Sequence, residues 1–203
     1  MPLATGVFGD VLGCGTDAIP KGGVWLIHGD EKQGKTTLCL LLANYLAQSN
    51  KVVYIQAEQS CNVFDIDKIF VEAMQRVGIG SDKRSLSFFG DITPAELTEV
   101  LGRKRSADIV FIDNITFAEW VDTRLVRGLT KRFPRKTFVY VAHNDRNGDP
   151  NGTTGKAIKR LANTVFVVDA LRCKVFGRGS WGGTVNIDAQ AGRVMYGGEG
   201  IND

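Results

Sequence analysis

The residues from which metal cages and covalent staples are built are scarce in this sequence. Its 203 residues include four cysteines and two histidines. Cys14, Cys39, Cys61 and Cys173 lie far apart with no C-x-x-C pair, and Cys39 falls in the apolar run Leu38-Cys39-Leu40-Leu41-Leu42, where a small core hydrophobe belongs. That spacing argues against a zinc site or a disulfide framework, and a reducing, cytoplasmic setting is expected. Long apolar runs are missing too. None approaches the ~20 residues that a helix needs to cross a bilayer, and the opening Met1-Pro2-Leu3-Ala4-Thr5-Gly6 lacks a signal-peptide layout, so a soluble protein without a membrane partner is expected. An excess of one charge is absent as well: 25 Lys and Arg against 22 Asp and Glu leave a net +3, which permits contact with nucleic acid without requiring it. There is no internal repeat and no low-complexity segment. What is present is an even spread of apolar residues, 43% of the chain, enough for one well-buried core, and a single domain over residues 1–203 is expected.

Short β-rich runs alternate with helical patterns, the signature of a mainly parallel sheet covered by helices on both faces. The strands are predicted at Val24–Ile27, Val52–Ile55, Ile109–Ile112, Thr137–Ala142 and Val165–Val168, each almost continuously apolar, as strands buried on both faces are. Helices are predicted over Lys35–Gln48, around the stripe Ile66, Ile69, Phe70, Ala73, Met74 and Val77, after the start signal Thr93-Pro94, and over Thr123–Arg132 and Gly155–Ala162. Leu171–Val175, Thr184–Ile187 and Val194–Tyr196 are predicted to close the sheet in antiparallel fashion. The Gly-rich and polar stretches 144–155 and 177–183 are loops, the usual carriers of ligand-binding residues in open α/β sheets.

One motif carries specific chemistry. Gly29-Asp30-Glu31-Lys32-Gln33-Gly34-Lys35-Thr36 matches G-x-x-x-x-G-K-[ST], with an apolar strand before it and a helix after it. Glycines let such a loop curl until its N–H groups and the helix N-terminus face an anion. Lys35 then reaches the β- and γ-phosphates and the Thr36 hydroxyl can ligate Mg²⁺, with Thr37 beside it. A nucleoside triphosphate, taken as ATP, and Mg²⁺ are the expected ligands.

Further groups lie at the predicted strand ends. Ile109-Val110-Phe111-Ile112-Asp113 ends in a carboxylate that a strand would aim at the Mg²⁺ beside Thr36. The following position, where many P-loop ATPases keep a catalytic Glu, is Asn114, so a water-activating base must come from elsewhere. Val52-Val53-Tyr54-Ile55-Gln56-Ala57-Glu58 supplies one in Glu58, at the phosphate edge of the sheet, though a solvated strand-end Glu has the same pattern. His143 or Asn144, at the end of the 137–142 strand, could bond the γ-phosphate and report its loss. His28 is read as structural.

These residues together resemble the RecA-type ATPase core, in particular its RadA/Sms branch, with DnaB-type replicative helicases as cousins. The resemblance runs nearly end to end: Thr5 to Gly15 is similar to the family's opening segment, Tyr54-Ile55-Gln56-Ala57-Glu58 to its second-strand catalytic glutamate, and Val141-Ala142-His143 to its strand-end sensor. Leu171-Arg172-Cys173-Lys174-Val175-Phe176-Gly177 is similar to the Lys/Arg-rich segment that in relatives reaches a neighbouring subunit's nucleotide, which implies head-to-tail self-assembly into a ring or filament. The chain departs from the helicase cousins there, since Lys174 is not followed by Lys-x-Arg spacing and the next arginine is Arg178. The zinc-binding segment of RadA/Sms and a protease-like domain are not recognised, so a bare ATPase module is expected, similar to stand-alone cores of phages and mobile elements. Lys156, Lys159 and Arg160 follow the 144–155 loop at i, i+3 and i+4 spacing, in the region that faces a central channel in ring-forming relatives, and are candidates for single-stranded DNA phosphates. An ordinary basic helix face has the same pattern, and Trp181 is the sole nearby aromatic candidate for base stacking.

Three functions are compatible with these features. The leading one is a Mg²⁺-dependent ATPase working on single-stranded DNA in recombination, replication or repair. A small-molecule or nucleotide kinase would carry an Arg-rich lid, for which Lys131-Arg132-Phe133-Pro134-Arg135-Lys136 is the nearest match. An ATP-dependent switch module without motor activity is the third.

Overall fold

A computed structural model describes residues 8, 10, 12, 22–57, 68–80, 85–90, 92–178 and 182–187. The elements follow in the order β1 Gly23–Gly29, α1 Lys35–Leu46, β2 Val52–Gln56, α2 Lys68–Arg76, β3 Leu86–Phe89, α3 Pro94–Gly102, β4 Ile109–Asp113, α4 Thr123–Arg132, β5 Thr137–His143, α5 Gly152–Leu161, β6 Thr164–Asp169, β7 Arg172–Phe176 and β8 Gly183–Asn186. They build one eight-stranded sheet ordered β3-β2-β4-β5-β1-β6-β7-β8. Strands β1 to β6 pair in parallel, while β7 and β8 join antiparallel. The expected class, a mainly parallel sheet with helices on both faces and an antiparallel C-terminal extension, is what forms.

Alternation along the strands divides the interior into two layers. From β1, Trp25 and Ile27 enter one layer with α1, Phe111 and Phe166, while Val24 and Leu26 enter the other with Leu97, Val126, Leu129 and Ile158 of α3, α4 and α5. Burial on both faces is why these strands read as continuous apolar runs. Each large apolar side chain taken out of water there contributes about 1.5–3 kcal/mol. Helix α1 is apolar nearly all round because it is covered on its outer side as well: Phe8 and Leu12 are buried in its layer, and the Phe8 and Tyr45 rings lie 5.5 Å apart.

Differences from the expectations are local. Strand β3 is not among the predicted strands, and its four residues at the sheet edge are too few to show a period. Helix α5 starts at Gly152 rather than Gly155, with Asn151 as its N-cap residue, and ends at Leu161. Leu171 belongs to a turn and not to β7, for a reason given below. Val194–Tyr196, Trp181, Cys14, Cys61 and Ile66 lie outside the described residues. Among the described residues no helix is long and apolar enough to cross a membrane.

The Thr93-Pro94 start signal forms a complete capping box: Thr93 Oγ1 accepts from the Glu96 N–H, and Glu96 Oε2 accepts from the Thr93 N–H at 2.9 Å. Thr93→Ala is expected to lower unfolding stability by about 1 kcal/mol. Urea denaturation checks it, with an unchanged slope showing that the fold itself is kept.

Candidate active site

The sheet's topology creates the site. The chain leaves the central strand β1 and crosses over β5 and β4 to reach β2, so a crevice opens at the carboxyl ends of the strands, the position where open α/β sheets bind ligands. The 30–34 loop lies there. Gly34 has φ +96°, and a Cβ on it would lie 2.7 Å from Leu171 Cδ2. A Cβ on Gly29 would lie 2.2 Å from the Val168 carbonyl oxygen on β6. Gly29 is thus required by the close approach of the β6 backbone, and Gly34 by its left-handed φ.

Lys35 is the first residue of α1 and only 7% exposed. Its Nζ donates to the carbonyls of Gly29 at 2.9 Å and Asp30 at 2.5 Å, inside its own loop. Burial pushes its pKa down and the nearby Asp113 carboxylate pushes back. The result is a buried cation held by neutral carbonyls, an environment that a phosphate would complete. Thr36 is exposed at the mouth and Thr37 is half-buried.

Asp113 ends β4, in register with Gln56 of β2. Its carboxylate is buried and accepts from the Tyr54 hydroxyl at 2.5 Å. Lys35, Thr36, Thr37, Asp113, Asn114 and His143 share one cleft of about 620 Å³, with Glu31, Lys32, Arg76 and Phe117 among its other walls. Among the described residues no group of three or more His, Cys, Asp or Glu is poised to hold a metal alone. A Mg²⁺ ion fits here only with Thr36, Asp113 and a ligand's own phosphates, the way this ion is commonly held.

The end of β5 supplies the opposite wall. The His143 ring lies with Nε2 3.0 Å from Asn114 Nδ2, and edge-on to Phe117, which is 55% exposed. Asn114 has φ +67° and is 4% exposed, so the residue after Asp113 is a strained, buried partner of His143. Asn144 is turned away from the cleft's centre: its Oδ1 accepts from His28 Nδ1 at 2.8 Å and its N–H donates to the Gly29 carbonyl at 3.1 Å. His28 is therefore a buried tie between β1 and the loop after β5, with its pKa lowered by burial. Phe117 and Arg76 were not singled out from sequence as cleft residues, nor Tyr54 as a partner of Asp113 or Asn114 as a partner of His143, because residue order alone does not mark which side chains converge.

Other candidates lie elsewhere. Glu58 falls outside the described residues, one position past Ala57, whose N–H donates to the Asp113 carbonyl at 3.0 Å. Lys174 is exposed on β7, between Val167 of β6 and Thr184 of β8, and Arg178 is exposed just beyond the strand. Neither lines the cleft of its own chain. Lys156 pairs with Asp145 at 2.8 Å and Lys159 with Asp149 at 2.7 Å, so the preceding loop neutralises two of the three basic candidates and leaves Arg160 exposed. These ion pairs hold both aspartates below the usual carboxylate range. The Arg-rich 131–136 segment lies before β5, at the opposite sheet edge from the cleft, and Lys136 Nζ is engaged with Ser106 Oγ and the Ala107 carbonyl. It is not placed to close over phosphates.

The β6–β7 hairpin supports the loop from the side. Ala170 and Leu171 adopt φ +39° and +61°, a tight two-residue turn that excludes Leu171 from β7. The turn's N–H groups donate to Gln33, Ala170 to its Oε1 at 2.6 Å and Leu171 to its carbonyl at 3.2 Å. Gly34→Ala combines a strained φ with the Leu171 contact and is expected to weaken nucleotide binding about tenfold or more while the fold persists. Titration with a fluorescent ATP analogue, beside circular dichroism, checks it.

No protein-family model matches the chain. Protein RecA of Nautilia profundicola is 32% identical over 116 residues, covering 56% of this chain and 31% of that protein. Protein RecA of Oleidesulfovibrio alaskensis is 28% identical over 116 residues, covering 56% and 30%. The matched region thus spans just under a third of the length of these curated relatives. Among solved structures, the flagellar accessory protein FlaH from Methanocaldococcus jannaschii superposes with a TM-score of 0.61 at 17% identity over 87% of each chain. A second solved structure, an ATPase domain, superposes with a TM-score of 0.53 at 14% identity over 80% of each chain. With the glycine-framed loop, its buried lysine and the aspartate across the cleft, these likenesses identify the chain's fold as that of a RecA-like P-loop ATPase core.

Proposed function

We propose that this chain is a Mg²⁺-dependent ATPase that assembles head to tail and couples hydrolysis to single-stranded DNA in recombination, replication or repair. The observation that carries the reading is the convergence of Lys35, Thr36 and Asp113 in one cleft at the sheet's switch point. Lys35 opposes the charge of the β- and γ-phosphates, and the loop N–H groups take up their oxygens. Mg²⁺, when bound, supplies charge neutralisation between these phosphates, with Thr36 and Asp113 as the protein groups suited to hold it. Glu58, by resemblance, takes the proton of the attacking water, a role that the Asn114 amide cannot fill. His143, braced by Asn114, would bond the γ-phosphate and lose that partner on its departure.

Assembly is proposed because Lys174 and Arg178 lie outside their own chain's cleft and are exposed, which suits delivery to a neighbour's nucleotide in a ring or filament. For DNA, Arg160 offers an exposed cation, while Lys156 and Lys159 could contribute only by leaving Asp145 and Asp149. The similar proteins are RecA, a flagellar accessory protein and an ATPase domain.

ATP turnover with and without single-stranded DNA is the direct test. Hydrolysis should be stimulated by DNA, abolished in Lys35→Ala, and slowed by ~10²-fold or more in Glu58→Gln with ATP affinity kept. Undiminished turnover in Lys35→Ala would sink the P-loop assignment. An absence of salt-sensitive DNA binding would remove the nucleic-acid step and leave an ATP-dependent switch. For assembly, mixing Lys35→Ala chains with Lys174→Ala/Arg178→Ala chains should restore part of the activity, each donating what the other lacks. Activity that stays linear down to dilutions with monomer alone refutes it.

A further inference from the structure

We propose that Tyr54 is a positioning residue for the metal-facing carboxylate of Asp113, its phenol holding Oδ2 so that the side chain cannot turn out of the cleft. The inference rests on reading the cleft as a Mg²⁺–nucleotide site. Tyr54 lies on β2, opposite Phe111 of β4 in the parallel register, and so two residues from Asp113 on the same face of the sheet. From there its hydroxyl reaches diagonally to Asp113 Oδ2, at 2.5 Å.

The ring has no freedom to do otherwise. Its side chain is 0% exposed, and it stacks on Phe111 with centroids 5.5 Å apart and planes 12° apart. Phe70 and Phe88 press on it at 5.5 and 5.7 Å. Packing alone would be met equally by phenylalanine, so the buried hydroxyl is the feature that calls for a role. A hydroxyl buried without a partner, or a carboxylate buried without a donor, is strongly unfavourable, and each answers the other here.

The choice of a neutral donor also matters. An ammonium or guanidinium at this place would cancel the charge that a cation needs, whereas a phenol fixes the carboxylate and leaves its charge in place. Helix α1, which carries Lys35 and Thr36, packs on β2 and β4 through the same layer, in which Cys39 and Tyr54 are both fully buried. Two walls of the cleft are thereby held in a common frame.

The test measures Mn²⁺, a Mg²⁺ substitute, by electron paramagnetic resonance in the complex with ADP, where no turnover occurs. Tyr54→Phe should weaken Mn²⁺ binding by about tenfold, the effect of losing a group that orients a metal ligand, with metal-free ADP affinity unchanged. Phe88→Leu, which loosens the aromatic clamp and keeps the hydroxyl, should lower thermal stability and leave Mn²⁺ affinity at the wild-type value. Equal metal affinity in Tyr54→Phe and wild type, or an equal loss in Phe88→Leu, overturns the proposal. Should Tyr54→Phe not fold, wild-type protein carrying 3-fluorotyrosine answers instead. The fluorine resonance that moves in Asp113→Asn is that of Tyr54, and it should move again when Mg²⁺ joins the ADP complex. No movement overturns the proposal, and a wild-type protein that binds neither ADP nor Mn²⁺ overturns the underlying reading of the cleft.

Discussion

A lysine ammonium that is almost wholly buried and held by two backbone carbonyls is the arrangement on which this site depends. Lys35 is drawn inward because it opens helix α1, whose apolar side chains are packed on the sheet and under Phe8 and Leu12. Its carbonyl partners, Gly29 and Asp30, belong to the loop that the same lysine closes. A cation in such a place is only partly compensated, and the loop N–H groups around it point the same way electrically. The free energy of taking that charge out of water is best recovered by an anion, so folding leaves a loop suited to one.

The rest of the sheet serves this loop from three directions. Strand β4 delivers Asp113, fixed by Tyr54 from β2. Strand β5 delivers His143, fixed by Asn114 from the turn after β4. The β6–β7 hairpin delivers two N–H groups to Gln33 from residues held at positive φ. Each of the three contacts joins elements distant in the chain, so the cleft's geometry is a property of the whole sheet and of no single segment.

The basic helix face shows how a pattern and its surroundings can disagree. Lys156, Lys159 and Arg160 have the spacing of a phosphate-binding stripe, yet Asp145 and Asp149 curl back from the preceding loop onto two of them. Exposed ion pairs of this kind contribute little to stability. They do compete with any incoming phosphate, which lowers the gain from each contact.

Local pieces were legible from residue order. A glycine-framed loop between an apolar strand and a helix can do little but curl around an anion, since the two glycines remove the side chains that would block it, and the continuous apolar runs at 24–27, 109–112 and 137–142 demanded strands buried on both faces. The capping box at Thr93 and the start of α4 at Thr123 were likewise readable, because their signals lie within a few residues. Which polar groups meet was settled only by the assembled sheet. Tyr54 looks like one more β-forming aromatic until β2 is set beside β4, and Asn114 looks like an empty position until β5 brings His143 against it. Leu171 reads as the first residue of a strand until the turn around Gln33 holds it at positive φ. Periodicity reports which face of an element is buried; it carries no information about the register between elements far apart in the chain, and that register is what places a hydroxyl, an amide or an ammonium within hydrogen-bonding distance of its partner.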